Sequence, residues 1–148
     1  MKKEISKEKI NKDKSTKIFV NLSVKDLGKS MKFFKSLGYK FNKQFTNKNA
    51  ACMIISKDIY SMLVTEKFFR TFTKKNISDA KKNTEVLLAL SAASRRDVDK
   101  MMVKALKAGG KIVREPEDHG FMYGRSFEDL DGHIWEVFWM DENSVKKD

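Results

Sequence analysis

The sequence predicts an α+β fold of two tandem β-α-β-β-β modules, each laying one helix on a mixed sheet, the two curved sheets enclosing a cleft. Three observations predict it. Strand-like and helix-like hydrophobic periods run through the same order twice, and the segment FVNLS at 19–23 is echoed by LLALS at 87–91. The chain has 148 residues, 41% of them hydrophobic, which is room for one core but not two independent ones. Each sheet therefore has a face that the other module or a second chain must cover.

The first module spans 17–66. Residues 17–24 (KIFVNLSV) alternate as a strand does, and Asp26 then offers a helix cap to Leu27, Met31, Phe34 and Leu37 at helical spacing, closed by Gly38. A strand at 39–45 and a polar turn at 46–49 follow. Residues 50–56 (AACMIIS) and 60–65 (YSMLVT) are two more strands, parted by Lys57 and Asp58 at hairpin length. The crossover, 67–84, carries Phe68, Phe69, Arg70 and Phe72, which suits an ordered connection better than a bare linker. The second module, 85–140, repeats the pattern: a strand at 85–91, a helical stripe of Val98, Met101, Met102 and Leu106 ended by Gly109 and Gly110, then strands at 111–114, 121–128 and 134–140. Two four-stranded sheets are expected. Residues 1–16 read as a disordered Lys-rich tail and 141–148 as a polar one.

Charge at first points elsewhere. Lys and Arg number 31 against 20 Asp and Glu, for a net +11, the balance of a protein that meets phosphates. Only five of the cations are Arg, however, and seven Lys against Glu4, Glu8 and Asp13 within 1–17 put roughly +4 into the tail. A solvated Lys-rich surface is the plainer reading, with a nucleic-acid role through the tail the last alternative. Cys52 is the only cysteine, so no internal disulfide forms. Apolar runs are too short to span a membrane and Lys and Glu stand where a signal peptide needs apolar residues, so the expected location is the cytoplasm.

The most informative segment is FEDLDGHIWEVFW at 127–139. Asp129, Leu130, Asp131 and Gly132 form a tight hairpin turn. If Asp129 pairs with His133, then Glu136 lies opposite Ser126 and Phe138 opposite Gly124, while Trp135, Val137 and Trp139 face the helices. Glu136 then points into the cleft and needs a metal, a cation, a ligand donor or water as partner. His133 lies three residues from Glu136, hence on the other face of the strand. His119, in a turn-like DHG segment, could swing in, though exposed loop histidines are the plainer reading of both. Cys52 reads as a small core residue.

The repeated unit, the V-x-D-L and S-x-x-F-F patterns from Val24 to Phe34, and D-x-D-G-H-x-W-E from Asp129 to Glu136 resemble the vicinal oxygen chelate superfamily. It includes glyoxalase I, extradiol dioxygenases, and fosfomycin- and bleomycin-resistance proteins, and the similarity covers 17–140. The resemblance implies a divalent ion held from four strands, at positions that fall on Phe19, near Met62, on Leu87 and on Glu136. Only Glu136 is a donor of the family kind, so no metal and no other cofactor is expected. With those positions inward, parity adds Asn21, Ser23, Tyr60, Val64, Glu85 and Ala89 to Ser126, Glu136 and Phe138. That lining is an apolar, aromatic small-molecule pocket, with a filled core as its alternative. By resemblance the chain is expected to be a homodimeric, metal-free protein that binds a planar or cationic molecule, Glu136 supplying the counter-charge. The enzymatic alternatives are a glyoxalase I-like lyase or dioxygenase-like metalloenzyme with a site rearranged around Glu136, His119 and water, or an isomerase with Glu136 as catalytic base.

Overall fold

The computed structural model describes residues 15–144. Of the two expected tails, 1–14 and 145–148 lie outside the described residues. Strand β1 (Ile18–Val24) leads into helix α1 (Leu27–Ser36), whose first turn is capped by the Asp26 side chain accepting from the Lys29 N–H at 3.0 Å. Gly38 follows in the left-handed region at φ +103°, which a Cβ would disfavour. Strands β2 (Lys40–Asn42), β3 (Ala50–Ser56) and β4 (Ile59–Thr65) complete a sheet of order β1-β4-β3-β2, in which β1 runs parallel to β4. The strand expected at 39–45 is shorter. Asn42 turns its side chain back to accept from the Gln44 N–H and starts a 3₁₀ turn, Lys43–Phe45.

The crossover is ordered. Helix α2 (Glu66–Phe69), capped by Thr65, runs into a 3₁₀ turn at Arg70–Phe72, with Phe68 edge-on to Phe72 at 5.0 Å. The second module then repeats the first: β5 (Leu87–Ser91), α3 (Arg95–Lys107), β6 (Lys111–Ile112), β7 (Glu117–Asp118), β8 (Met122–Glu128) and β9 (Ile134–Met140). The order β5-β9-β8-β6, with β5 parallel to β9, matches the first sheet strand for strand. Here β7 adds a fifth strand on β8, so the sheets have four and five strands rather than four each. The strand expected at 111–114 is shorter, ending at Ile112: Val113 makes the last ladder bond, to the Ser126 carbonyl, and Pro116 has no N–H to continue it. The strand expected at 85–91 begins at Leu87.

The modules share one core through their helix faces. Leu22, Val24, Met53 and Leu63 from the first sheet meet Phe127, Trp135 and Val137 from the second, with Phe33, Phe34, Val98 and Met102 of the two helices between them. The Phe34 ring stands edge-on to Trp135 at 5.3 Å. The opposite, open faces of the sheets take no part in this cluster. The junction is pinned by polar contacts: Asp131 accepts from the Lys25 N–H at 2.9 Å and the Ser30 hydroxyl at 3.2 Å, and His133 Nε2 lies 2.8 Å from the Ser23 carbonyl. The crossover backbone rests on Gly132, where a Cβ would come within 2.7 Å of the Lys81 nitrogen. No helix among the described residues is long and apolar enough to cross a membrane.

Candidate functional site

The turn before β9 sets the site's register. The Asp129 N–H donates to the His133 carbonyl at 3.0 Å, and the ladder beyond it pairs Ser126 with Glu136 and Gly124 with Phe138, the register expected from the sequence. Asp129 is buried and accepts from Trp135 Nε1 and from the N–H groups of Asp131 and His133, each at 3.0 Å. Burial pushes its carboxyl above the ordinary range while these donors pull the other way. Trp135 and Val137 are buried against the helices, which leaves Glu136 and Phe138 on the open face.

Glu136 has a partner that the sequence reading did not identify. Arg114 Nη2 donates to Glu136 Oε1 at 2.8 Å, while Nη1 of the same guanidinium donates to Glu117. Two carboxylates thus share one cation, and the His119 ring lies 3.8 Å from the second of them. A cavity of about 270 Å³ opens here, walled by Ala89, Arg114, Glu117, Glu136, Phe138 and Met140. Opposite Glu136 in the ladder, the Ser126 hydroxyl is fully buried without a hydrogen-bond partner among the described residues. Arg114 was missed because regular pairing of β6 on β8 would place it across from Arg125, on the helix face. It reaches Glu136 only because the chain leaves the ladder after Val113.

On the first sheet, Phe19 stacks flat on Tyr60, 4.6 Å between centroids and 9° between planes, as their pairing across β1 and β4 requires. Asn21 pairs with Met62 and donates to the Phe19 carbonyl at 3.1 Å. The two modules correspond closely: Asn21 beside Met62 in the first is matched by Ala89 beside Glu136 in the second. Leu87 lies on the open face beside Ile134 and is 55% exposed. Glu85 precedes β5 and borders a different cavity, beneath the crossover. Phe19, Asn21, Tyr60 and Met62 therefore share one open face and Leu87, Ser126, Glu136 and Phe138 the other, and the cavity holding Glu136 is lined by the second module alone.

The divalent ion implied by resemblance does not fit these side chains. Phe19, Met62 and Leu87 offer a phenyl ring, a thioether and an alkyl group, and Glu136 is bonded to a guanidinium, whereas a held ion needs about three hard or borderline donors. No three or more His, Cys, Asp or Glu side chains among the described residues are grouped to hold a metal. Cys52 is buried on β3, and burial pushes its thiol up, away from a reactive thiolate.

The family model of the Glyoxalase/Bleomycin resistance protein/Dioxygenase superfamily matches residues 18–137. Among solved structures, the hypothetical protein SA1046 from S. aureus is 30% identical, with 88% of this chain and 98% of that one covered and a TM-score of 0.72. A glyoxalase/bleomycin resistance protein/dioxygenase family enzyme from Burkholderia phytofirmans is 13% identical, with 85% and 99% covered and a TM-score of 0.71. The fosfomycin resistance protein FosX from Listeria monocytogenes is 17% identical, with 91% and 96% covered and a TM-score of 0.63. No curated protein matches the sequence.

Proposed function

Because the chain belongs to the glyoxalase/bleomycin resistance protein/dioxygenase superfamily, we propose that it binds a small, planar, cationic molecule on the open sheet face around Glu136, without a divalent ion at that position. The observation that carries this reading is the sharing of Arg114 between Glu136 and Glu117. At the one position where the superfamily's ligand set keeps a donor, a guanidinium takes the cation's place; Arg125, which also borders the cavity, is paired with Asp99 at 3.2 Å, so two carboxylates are left to share the one guanidinium of Arg114. Phe138, Met122 and Met140 beside them supply apolar walls for a flat ring.

A second copy of the chain completes the pocket in this reading. Phe19 is 46% exposed on the first open face, with Leu87 on the second and Val86 beside it, an apolar surface that water disfavours. Apposing the first open face of one copy to the second open face of its partner brings the Phe19–Tyr60 stack over Glu136. The enzymatic readings gain nothing from the geometry, since Arg114 rather than His119 meets Glu136.

Titration of 9-aminoacridine and of a bleomycin-type glycopeptide into the full chain tests the reading. Saturable binding that weakens by about tenfold or more in Glu136→Gln is the expected result. Absence of saturable binding by either cation would overturn it.

A further inference from the structure

The space beneath the crossover is unfilled and lies apart from Glu136. One cavity of about 550 Å³ is walled by Lys25, Arg70, Lys74, Lys75, Asp131 and His133. A neighbouring one of about 470 Å³ is walled by Val20, Phe69, Ile77, Val86 and Ile134, with the exposed Glu85 also at its border. The two adjoin, for Ser23, Lys75, Ile77 and His133 border both, and neither shares a residue with the Glu136 cavity.

The charges in the polar lobe are unequal in how they are used. Its carboxylates are all engaged: Glu66 with Arg70 at 3.7 Å, Asp131 with the Lys25 N–H and the Ser30 hydroxyl, and Asp79 with the Lys81 N–H at 3.0 Å. The ammonium groups of Lys25, Lys74 and Lys75 have no carboxylate partner among the described residues. Four cations, Lys25, Arg70, Lys74 and Lys75, against three carboxylates, Glu66, Asp79 and Asp131, leave the polar lobe one positive charge in excess, which favours an anion, and the adjoining lobe favours hydrocarbon.

We infer that the two lobes form one binding site for an amphipathic anion, a molecule whose carboxylate or phosphate is taken by Lys25, Lys74 and Lys75 and whose apolar body lies against Val20, Phe69 and Val86. The ligand rests on β1 and the turn before β9 on one side and on the crossover on the other, so it bridges both modules. The site shares no residue with the Glu136 cavity, although Asn21 and Ile134 border its apolar lobe from the two open faces.

Calorimetric titration of the full chain with hexyl phosphate, inorganic phosphate and 1-hexanol tests the inference. Hexyl phosphate is expected to bind saturably and about tenfold or more tighter than either fragment, because each fragment fills one lobe. The double variant Lys25→Glu/Lys75→Glu should lose about tenfold for hexyl phosphate while keeping a cooperative thermal transition. Phe69→Ala, which alters the apolar lobe and not the polar one, should narrow the preference for hexyl phosphate over inorganic phosphate. Equal binding of hexyl phosphate and inorganic phosphate, or unchanged affinity in the folded double variant, would overturn the site. So would retention on vesicles of phosphatidylglycerol and phosphatidylcholine without saturable uptake of free hexyl phosphate, which would mark a basic surface rather than a cavity.

Discussion

Arg114 decides what the carboxylate of Glu136 can do. Its guanidinium satisfies Glu136 and Glu117 together, and a cationic ligand must compete with it or share the two carboxylates with it. Arg114→Ala should therefore raise the affinity for 9-aminoacridine severalfold, while costing about 1 kcal/mol or less of stability because the pair is partly exposed. Unchanged or weaker binding in that variant, read by the same titration, would contradict the role given to the two carboxylates. Glu136 itself was legible in the sequence because a four-residue turn fixes the register of the hairpin, and parity then fixes the face. Arg114 was not legible, since its contact depends on where a ladder stops, and two-residue alternation carries no record of that.

At the scale of elements, the N-terminal turn of α3 shows how a helix is tied to the sheet it covers. Arg95 donates to both carboxylate oxygens of Asp118, at 2.9 and 2.8 Å, and to the Gly120 carbonyl at 2.7 Å, while its guanidinium lies 5.2 Å from the ring centres of Tyr123 and Trp139. The hydrogen bonds from Arg95 hold the Asp118 carboxyl well below its ordinary value of 3.8. A carboxyl whose folded value is depressed stabilises the fold above its unfolded value, and that contribution is lost as pH falls through the folded one. Stability should thus decline as pH drops below about 4, and Arg95→Ala should flatten that acid limb. Urea midpoints measured from pH 6 to pH 3 check this; parallel curves for the two proteins would count against the clamp. The helix was readable from Val98, Met101, Met102 and Leu106, and its Ser94 cap accepts from the Asp97 N–H as a helix start should. The clamp was not, because β7 is two residues long and has no period to detect.

For the molecule as a whole, duplication made the architecture legible: one module read twice gives one sheet order twice, β1-β4-β3-β2 and β5-β9-β8-β6. How the modules face each other was less so. Burial of Phe34 against Trp135 joins the helix faces into one core, a choice made by contacts a hundred residues apart in the chain, and it leaves both open faces outside that core. The pocket residues expected from the sequence are consequently divided between two sheet faces, and in the proposed function a second copy reunites them. Light scattering on a size-exclusion column should give twice the 17.2 kDa chain mass; a stable monomer at micromolar concentration would leave the pocket half-built. A crystal structure of the protein grown with 9-aminoacridine tests the central claim most directly. The account predicts the ring system between the Phe19–Tyr60 stack of one protomer and Glu136 of its partner, its cationic nitrogen bonded to Glu136 or Glu117. A divalent ion coordinated by Glu136, or a ring system bound anywhere else, would contradict it.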